Sequence, residues 1–431
     1  MTSRRCAAYR AVYQEGFLTI RFLKGSTTSS ERTTFATGQP QLLRAINERR
    51  VLESIRHTGP TSRAAIARES GLSKPTVSLA LASLIEAGLA HQVGRSSGHK
   101  GPRAKLYELN PGSGWVAGIH VGRQAVRAAV ADITGEIVAR REEPARSRSS
   151  CALVGQIGEI ARQVASDAGI EWQRVTHATL GTPGVLDPSR GRLEHAPNLP
   201  GWGRQGLVWA IRDELGTPIS FENDVNLAAL AEREHGLGRD LRDFVFLWAG
   251  TGVGLGIVID GQLYRGAGGA AGEIGYLPLG DGDPHDRANR RRGQLEEAAG
   301  ASGVVRRARA LGMRPPLTPR TIFAAARRGD PCAVAVVTAE AHAIALAIAT
   351  VVPVLNPELV ILGGQIAGHG DVLLEPIEKE LHALSPFRPR LAVSELGEAA
   401  VLAGAVATAL EAAQEQLFSR TGNLDHGEIV V

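Results

Sequence analysis

A change of pattern at Pro111 constrains this chain more than any other feature. Before it, short apolar stripes at helical spacing are punctuated by glycines; beyond it, strand and helix signals alternate. A chain of 431 residues with such a break divides into two or three globular units, each long enough to bury its own core. Residues 1–40 stand apart: they are rich in Ser, Thr and Arg, lack hydrophobic periodicity over most of their length and end in the breaker Thr37-Gly38-Gln39-Pro40. They read as a poorly ordered basic tail, or as sequence upstream of the true start codon.

Residues 41–110 carry the signals of a small helical domain. Leu42, Leu43, Ile46, Val51, Leu52 and Ile55 fall at helical spacing, and Gly59-Pro60 stops that helix. Ser62 is placed to cap a second, short helix that Gly71 ends. Ser73 caps a third, in which Val77, Leu81, Leu84 and Ile85 make one stripe, closed by Gly88. Two extended pieces around residues 89–93 and 104–109 flank a Gly- and Lys/Arg-rich tip, which makes a basic hairpin.

Charge gives this module its partner. Residues 1–110 hold 17 Lys+Arg against 7 Asp+Glu, a net of +10, whereas the remainder carries −6. A basic module on an acidic body points to a polyanion for the first part only. Two short helices joined by the tight Glu69-Ser70-Gly71-Leu72 turn fit a helix-turn-helix, and the hairpin fits its wing. Lys74, Thr76 and Ser78 would reach base edges or phosphates from the start of the third helix, and Arg63 would meet the DNA backbone. His99, Lys100 and Arg103 on the wing would add phosphate or minor-groove contacts. The plainer alternative is a three-helix packing domain with solvated charges.

Beyond Pro111 the segments WVAGIHV, AVRAAVADI and EIVARREEP read as three successive strands, followed by helices near residues 150–168 and up to 215 and strands near 175–180 and 219–222. The second half repeats the style, with strands FVFLWAG, LGIVIDG and LVILGG and helices near 295–311 and 331–350. Two α/β lobes with a cleft between them are expected. Cys6, Cys151 and Cys332 lie too far apart for a disulfide framework or a metal knuckle to be argued. No apolar run near the start suits a signal peptide, and the apolar stretch 333–355, interrupted by Glu340 and His342, fits a buried helix better than a membrane span. A soluble, cytoplasmic protein without a membrane partner is expected.

The chain resembles the ROK family of repressors, open reading frames and sugar kinases over about residues 41–412. The motifs that carry the resemblance occur in order: GTPGVLD from Gly181, APNLPGW from Ala196, ENDVN from Glu222, GTGVGLGIVIDG from Gly250 and GAGGAAGEIG from Gly266. The segment from Asn47 to Leu89 and the wing GHKGPRAKLYELNP are similar to the regulator branch. The implied fold is a winged helix-turn-helix over 41–110 followed by a two-lobed ROK sugar-kinase-like domain of the actin/hexokinase type over 115–412, with a C-terminal tail over 413–431.

By that resemblance, Asn198, Asn223, Asp224, Glu273 and Glu296 occupy sugar-binding positions, and Asp224 sits where the kinases keep their general base. Amides and carboxylates suit this task, because a polyol buried without fixed partners loses its hydration uncompensated. Two departures from the family pattern bear on function. Where the kinases carry a DxGGT-type phosphate loop this chain reads GIHVGRQAV, with His120 for the acid and Arg123-Gln124 where small residues are needed. Where many members follow GEIG with a histidine and a cysteine cluster for zinc, this chain has Tyr276, no cysteine through residue 300, and Gln294 at the last ligand position. Neither a nucleotide cofactor nor a metal is expected, Asp224 is a vestigial base, and Tyr276 joins the ligand set through its phenol.

The resulting expectation is a transcription regulator, by default a repressor of carbohydrate metabolism. As a homodimer or homotetramer it would grip a pseudo-palindromic operator and respond to a sugar or sugar-phosphate. Its rivals are a sugar kinase that also binds DNA and a regulator that answers to a protein instead of a small ligand.

Overall fold

The computed structural model describes residues 12–14, 17–19, 40–95, 104–146, 149–187, 189–194, 196, 199, 201–280, 282–283 and 285–421. Met1–Leu43 and Arg44–Val431 are separate compact units. Within the first, Val12–Gln14 and Phe17–Thr19 pair as a short antiparallel ladder.

The helical module belongs to the second unit except for the first residues of its first helix, Pro40–Leu43. Its helices are α1 (Pro40–Thr58), α2 (Arg63–Ser70) and α3 (Lys74–Glu86), and its strands are β1 (Thr61–Ser62), β2 (Ala90–Arg95) and β3 (Lys105–Leu109), ordered β1-β3-β2. Ser62 Oγ accepts the Ala65 amide at the start of α2, Gly71 ends that helix at φ 70°, and Ser73 Oγ accepts the Thr76 amide at the start of α3. The apolar stripes are narrower than their spacing implies. Val51, Leu52 and Ile55 of α1 are buried, but Leu43 and Ile46 stay 57% and 41% exposed. On α3, Ala80 joins Val77, Leu81 and Leu84 inside, while Ile85 turns outward.

The two halves of the remaining chain share one topology. In the first lobe, β4 (Trp115–Val121), β5 (Ala125–Asp132) and β6 (Ile137–Pro144) form an antiparallel meander. The parallel strands β7 (Val175–Thr182) and β10 (Ile219–Asn223) extend it, giving the order β10-β7-β4-β5-β6. The small ladder of β8 (Val185–Asp187) and β9 (Arg192–Glu194) lies between those two in sequence. In the second lobe, β11 (Phe244–Ala249), β12 (Val253–Ile259) and β13 (Gln262–Leu263) make the meander, with β14 (Leu359–Gly363) and β15 (Arg390–Val393) parallel beside β11. Helices α4 (Ser150–Asp167) and α5 (Leu207–Leu215) cover one face of the first sheet, packing Ile157, Ile160 and Ile211 against Ile119 and Val126.

α6 (Asp224–His235) follows β10 directly, and α14 (Ala400–Thr421) closes the described chain, running past residue 412, where a tail is expected to begin. The helix expected over 295–311 is instead two, α8 (Gln294–Ala299) and α9 (Ala301–Ala310), preceded by the short α7 (Arg287–Arg292). The break falls at Gly300, where a Cβ would stand 2.6 Å from the Glu296 carbonyl. α10 (Pro319–Arg327), α12 (Gly364–Ala367) and α13 (Gly370–Leu384) complete the second lobe around α11 (Pro331–Leu355). Among the described residues α11 is the helix long and apolar enough to cross a membrane; half of its most apolar window is buried, and its fully buried Glu340 pairs with Arg307 of α9.

One core joins the helical module to the first lobe. Val51, Leu52 and Ile55 of α1 and Leu84 of α3 share it with Val116, Ala129 and Ile133 of the sheet region and with Leu402, Val406 and Leu410 of α14. The module is thus seated on α14 as well as on its own small sheet.

Candidate functional site

The site grows from the start of α6. Asn223 ends β10 and caps the helix: its Oδ1 accepts the Val225 and Asn226 amides at 2.8 and 3.4 Å, while its Nδ2 donates to the Gly184 carbonyl at 3.3 Å. The Asn223 amide therefore fixes two backbone segments of the cleft. Asp224 opens the helix and accepts the Val225 amide at 2.9 Å. Burial pushes its carboxyl up to about 6, although the amides of Val225 and of Asp224 itself pull the other way.

Glu273, Tyr276 and Glu296 face Asp224 from the second lobe. Burial, then the charges of Asp224 and Glu296, push Glu273 up to about 7. The Tyr276 phenol is also raised, by burial first and then by Glu273 and Glu296. Glu296 on α8 accepts the Val253 amide at 3.4 Å. It fits there only because Gly252 lacks a side chain: a Cβ would stand 2.7 Å from its Oε2. Gly272, at φ 90°, passes so near β12 that a Cβ would lie 1.8 Å from the Leu255 carbonyl. Asp224 and Glu273, both raised toward neutrality, can donate to as well as accept from hydroxyls, and Glu296 stands beside them in the same cleft.

Asn223, Asp224, Glu273, Tyr276 and Glu296 all line a single interlobe cleft of about 1300 Å³, counting the solvent at its mouth. Asn198 lies outside the described residues. The far half of the same cleft is lined by residues to which the sequence assigns no ligand: His120, Arg127, Trp248, Gln365 and Glu398. Of these, His120 stands out in the sequence only as a departure from the phosphate loop. Its imidazole is 8% exposed, its Nδ1 has no hydrogen-bond partner, and burial, aided by Arg127, drives its pKa down to about 3, so the ring is neutral. Arg127 reaches Glu142 at 3.1 Å and Glu398 at 2.8 Å, and Gln365 donates to Glu398 at 3.5 Å.

Gln294 takes up the place where the family's last cysteine would sit. Its Nε2 donates to the Gly280 and Gly282 carbonyls at 2.9 and 2.6 Å, tying the preceding loop to α8. Asp283 accepts the His285 amide at 2.8 Å in a turn, and among the described residues no three His, Cys, Asp or Glu side chains gather as a metal site.

In the helical module, Lys74 stands exposed at the start of α3. Thr76 shares a 2.8 Å hydroxyl bond with the capping Ser73. Arg63 donates to the Tyr107 hydroxyl at 3.1 and 2.9 Å and to Ser78 Oγ at 3.3 Å. Arg63 and Ser78, both read from sequence as groups free to meet DNA, hold each other and brace α3 against β3. His99, Lys100 and Arg103 lie outside the described residues.

The ROK family profile matches residues 116–412, and that of the IclR helix-turn-helix domain matches residues 49–94. The glucokinase of Halalkalibacterium halodurans is 32% identical over 295 residues, which cover 64% of this chain and 88% of that enzyme. The xylose repressor of Caldicellulosiruptor bescii is 26% identical over 389 residues, covering 86% of this chain and 96% of the repressor. The crystal structure of a ROK family transcriptional regulator, described as a homologue of the E. coli Mlc protein, has the same fold, with a TM-score of 0.73 at 24% identity over 88% of this chain and 99% of that one. The similarity to the kinase thus spans less of this chain than the similarity to the repressor. This chain belongs to the ROK family, with an IclR-type helix-turn-helix module ahead of its ROK domain.

Proposed function

We propose that this protein is a DNA-binding transcription regulator in which the kinase-like domain senses a sugar or sugar-phosphate instead of phosphorylating it. The observation that carries the reading is the union, on one unit, of a helix-turn-helix module and a carboxylate-lined cleft whose phosphate-loop position holds His120 and Arg123-Gln124. The similarity to the xylose repressor along both parts supports repression as the default. A homodimer or homotetramer on a pseudo-palindromic operator is the arrangement that suits a reader of this type.

α6 offers the route from ligand to DNA. Asp224 at its first turn faces the cleft, and Glu234 in its last turn faces Arg56 of α1 at 3.9 Å. Arg233 beside it reaches Glu411 of α14 at 3.0 Å, and Arg49 of α1 reaches Glu415 at 3.4 Å. A ligand that favours one position of α6 therefore bears on the module through ion pairs and through the shared core. A coupling of about 1–3 kcal/mol between the sites would change occupancy roughly 5- to 150-fold.

A second reading, a sugar kinase that also binds DNA, is favoured by Asp224 alone, whose carboxyl near 6 suits a general base. The two separate in an ADP-release assay with ATP-Mg and a sugar panel. Regulation predicts no sugar-dependent turnover; turnover that disappears in Asp224→Ala establishes the kinase. A selection of genomic fragments by the protein, repeated with and without the same sugars, identifies the operator and the effector together.

A further inference from the structure

We infer that the half of the cleft beyond Asp224 holds a second sugar ring, so that the effector is a disaccharide or longer saccharide and not a free monosaccharide. This rests on the reading of the Asp224, Glu273 and Glu296 half as a sugar site. The far half is lined from both lobes and is continuous with the Asp224 half within one cleft.

Its glycine-rich turns are filled by side chains. Trp248 lies against Gly250 and Gly364: a Cβ would stand 2.8 Å from the indole Nε1 at the first and 3.1 Å from the ring at the second. A Cβ on Gly122 would lie 3.5 Å from the His120 ring. Gly250 makes room for the indole, and Gly364 for the Ala249 carbonyl and the indole, which accounts for both without phosphate contacts.

Apart from Arg123, which also lines the cleft, the chemistry of this half suits hydroxyls better than phosphate. His120 is neutral, so it offers one donor and one acceptor but no charge. Arg127 is already matched by Glu142 and Glu398, and Glu398 would repel an anion placed against it. An arginine fork beside a carboxylate, a carboxamide from Gln365 and a flat indole are what a pyranose needs: donors and acceptors for its equatorial hydroxyls and an apolar plate for its C–H face. Glu398 stands just ahead of α14, in the turn Gly397–Ala399 that leads into it, so a ring held there sits at the foot of the helix that carries the DNA-reading module.

The test is calorimetry of the full-length protein with glucose, xylose and N-acetylglucosamine, each set against disaccharides of the same unit, together with glucose 6-phosphate and ATP-Mg. At least one disaccharide is expected to bind ten-fold or more tightly than its own monosaccharide. Trp248→Ala and the exposed Gln365→Ala should each reduce that advantage several-fold and leave monosaccharide affinity unchanged, and Trp248→Phe should keep most of it. Equal affinity for one ring and two overturns the second subsite but leaves the sugar site standing, as does tighter binding of glucose 6-phosphate or ATP than of any disaccharide. No heat with any saccharide overturns both.

Discussion

Gly404 of α14 lies directly on the backbone of Leu227 in α6, where a Cβ would stand 1.9 Å from the Leu227 carbonyl oxygen. Gly118 of β4 meets the other side of α14 in the same way, with Val406 Cγ2 2.9 Å from where its Cβ would be. The helix that seats the DNA-reading module is therefore in backbone contact with the helix that begins at Asp224. α6 has twelve residues and spans about 18 Å, so the cleft and the module lie one helix length apart.

Gly404→Val forces α14 away from α6. Overpacking of this kind costs about 1–3 kcal/mol or more, and the variant should unfold at lower temperature in a thermal melt. An unchanged melting temperature would show that the two helices are free to separate.

Arg56→Ala and Glu234→Gln remove the pair that joins α1 to the last turn of α6. The pair is loose at 3.9 Å, and Glu234 keeps Arg233 at 2.9 Å when Arg56 is removed, so neither change strips Glu234 of a charged partner while it is ionised. Both variants should fold, bind operator and bind sugar, yet show a smaller effect of sugar on operator affinity in fluorescence anisotropy. A response equal to that of the unaltered protein would place the coupling elsewhere.

Lys74→Ala with Arg103→Ala should weaken operator binding and lower the slope of log K against log salt by about one for each phosphate that is no longer neutralised. Sugar affinity measured without DNA should stay the same. Operator affinity unchanged by the pair would remove both residues from the DNA-facing surface.

Glu273 gives a pH signature. Its folded carboxyl, raised from 4.5 to about 7, binds more protons than the unfolded one between those values, so its contribution to stability falls as pH rises through that window. His120, driven down from 6.5 to about 3, works in the opposite sense, since the unfolded imidazole takes the proton first as pH falls. The comparison of Glu273→Gln with the unaltered protein isolates the first effect. The variant should gain in melting temperature relative to the parent from pH 5 to pH 8, and a constant difference would mean that Glu273 is not held above its ordinary range.

The helical module is legible because its signals are local: Ser62, Ser73 and Gly71 each act within three residues of the helix end they define. Exposure is less so. Ile85 continues a stripe in spacing but lies one position beyond Leu84, on the flank of α3, where it stays 41% exposed. The split at Gly300 depends on how closely the glycine approaches the Glu296 carbonyl, a distance no spacing reports. The half of the cleft around Asp224, Glu273 and Glu296 could be carried over motif by motif. The far half could not, because His120, Trp248, Gln365 and Glu398 come from four separate segments that meet only when both lobes are folded. Nor could the pairing of Arg63 with Ser78, which makes a brace of two side chains that look free on a helical projection.

Linkage requires that the effector and the operator change each other's affinity by one and the same factor. Calorimetric titration of the effector into the free protein and into its operator complex measures that factor directly. A change between about 5- and 150-fold, equal to the change in operator affinity on adding effector, is the predicted result. An effector that binds free and operator-bound protein equally well would contradict the account of this chain as a sugar-responsive regulator.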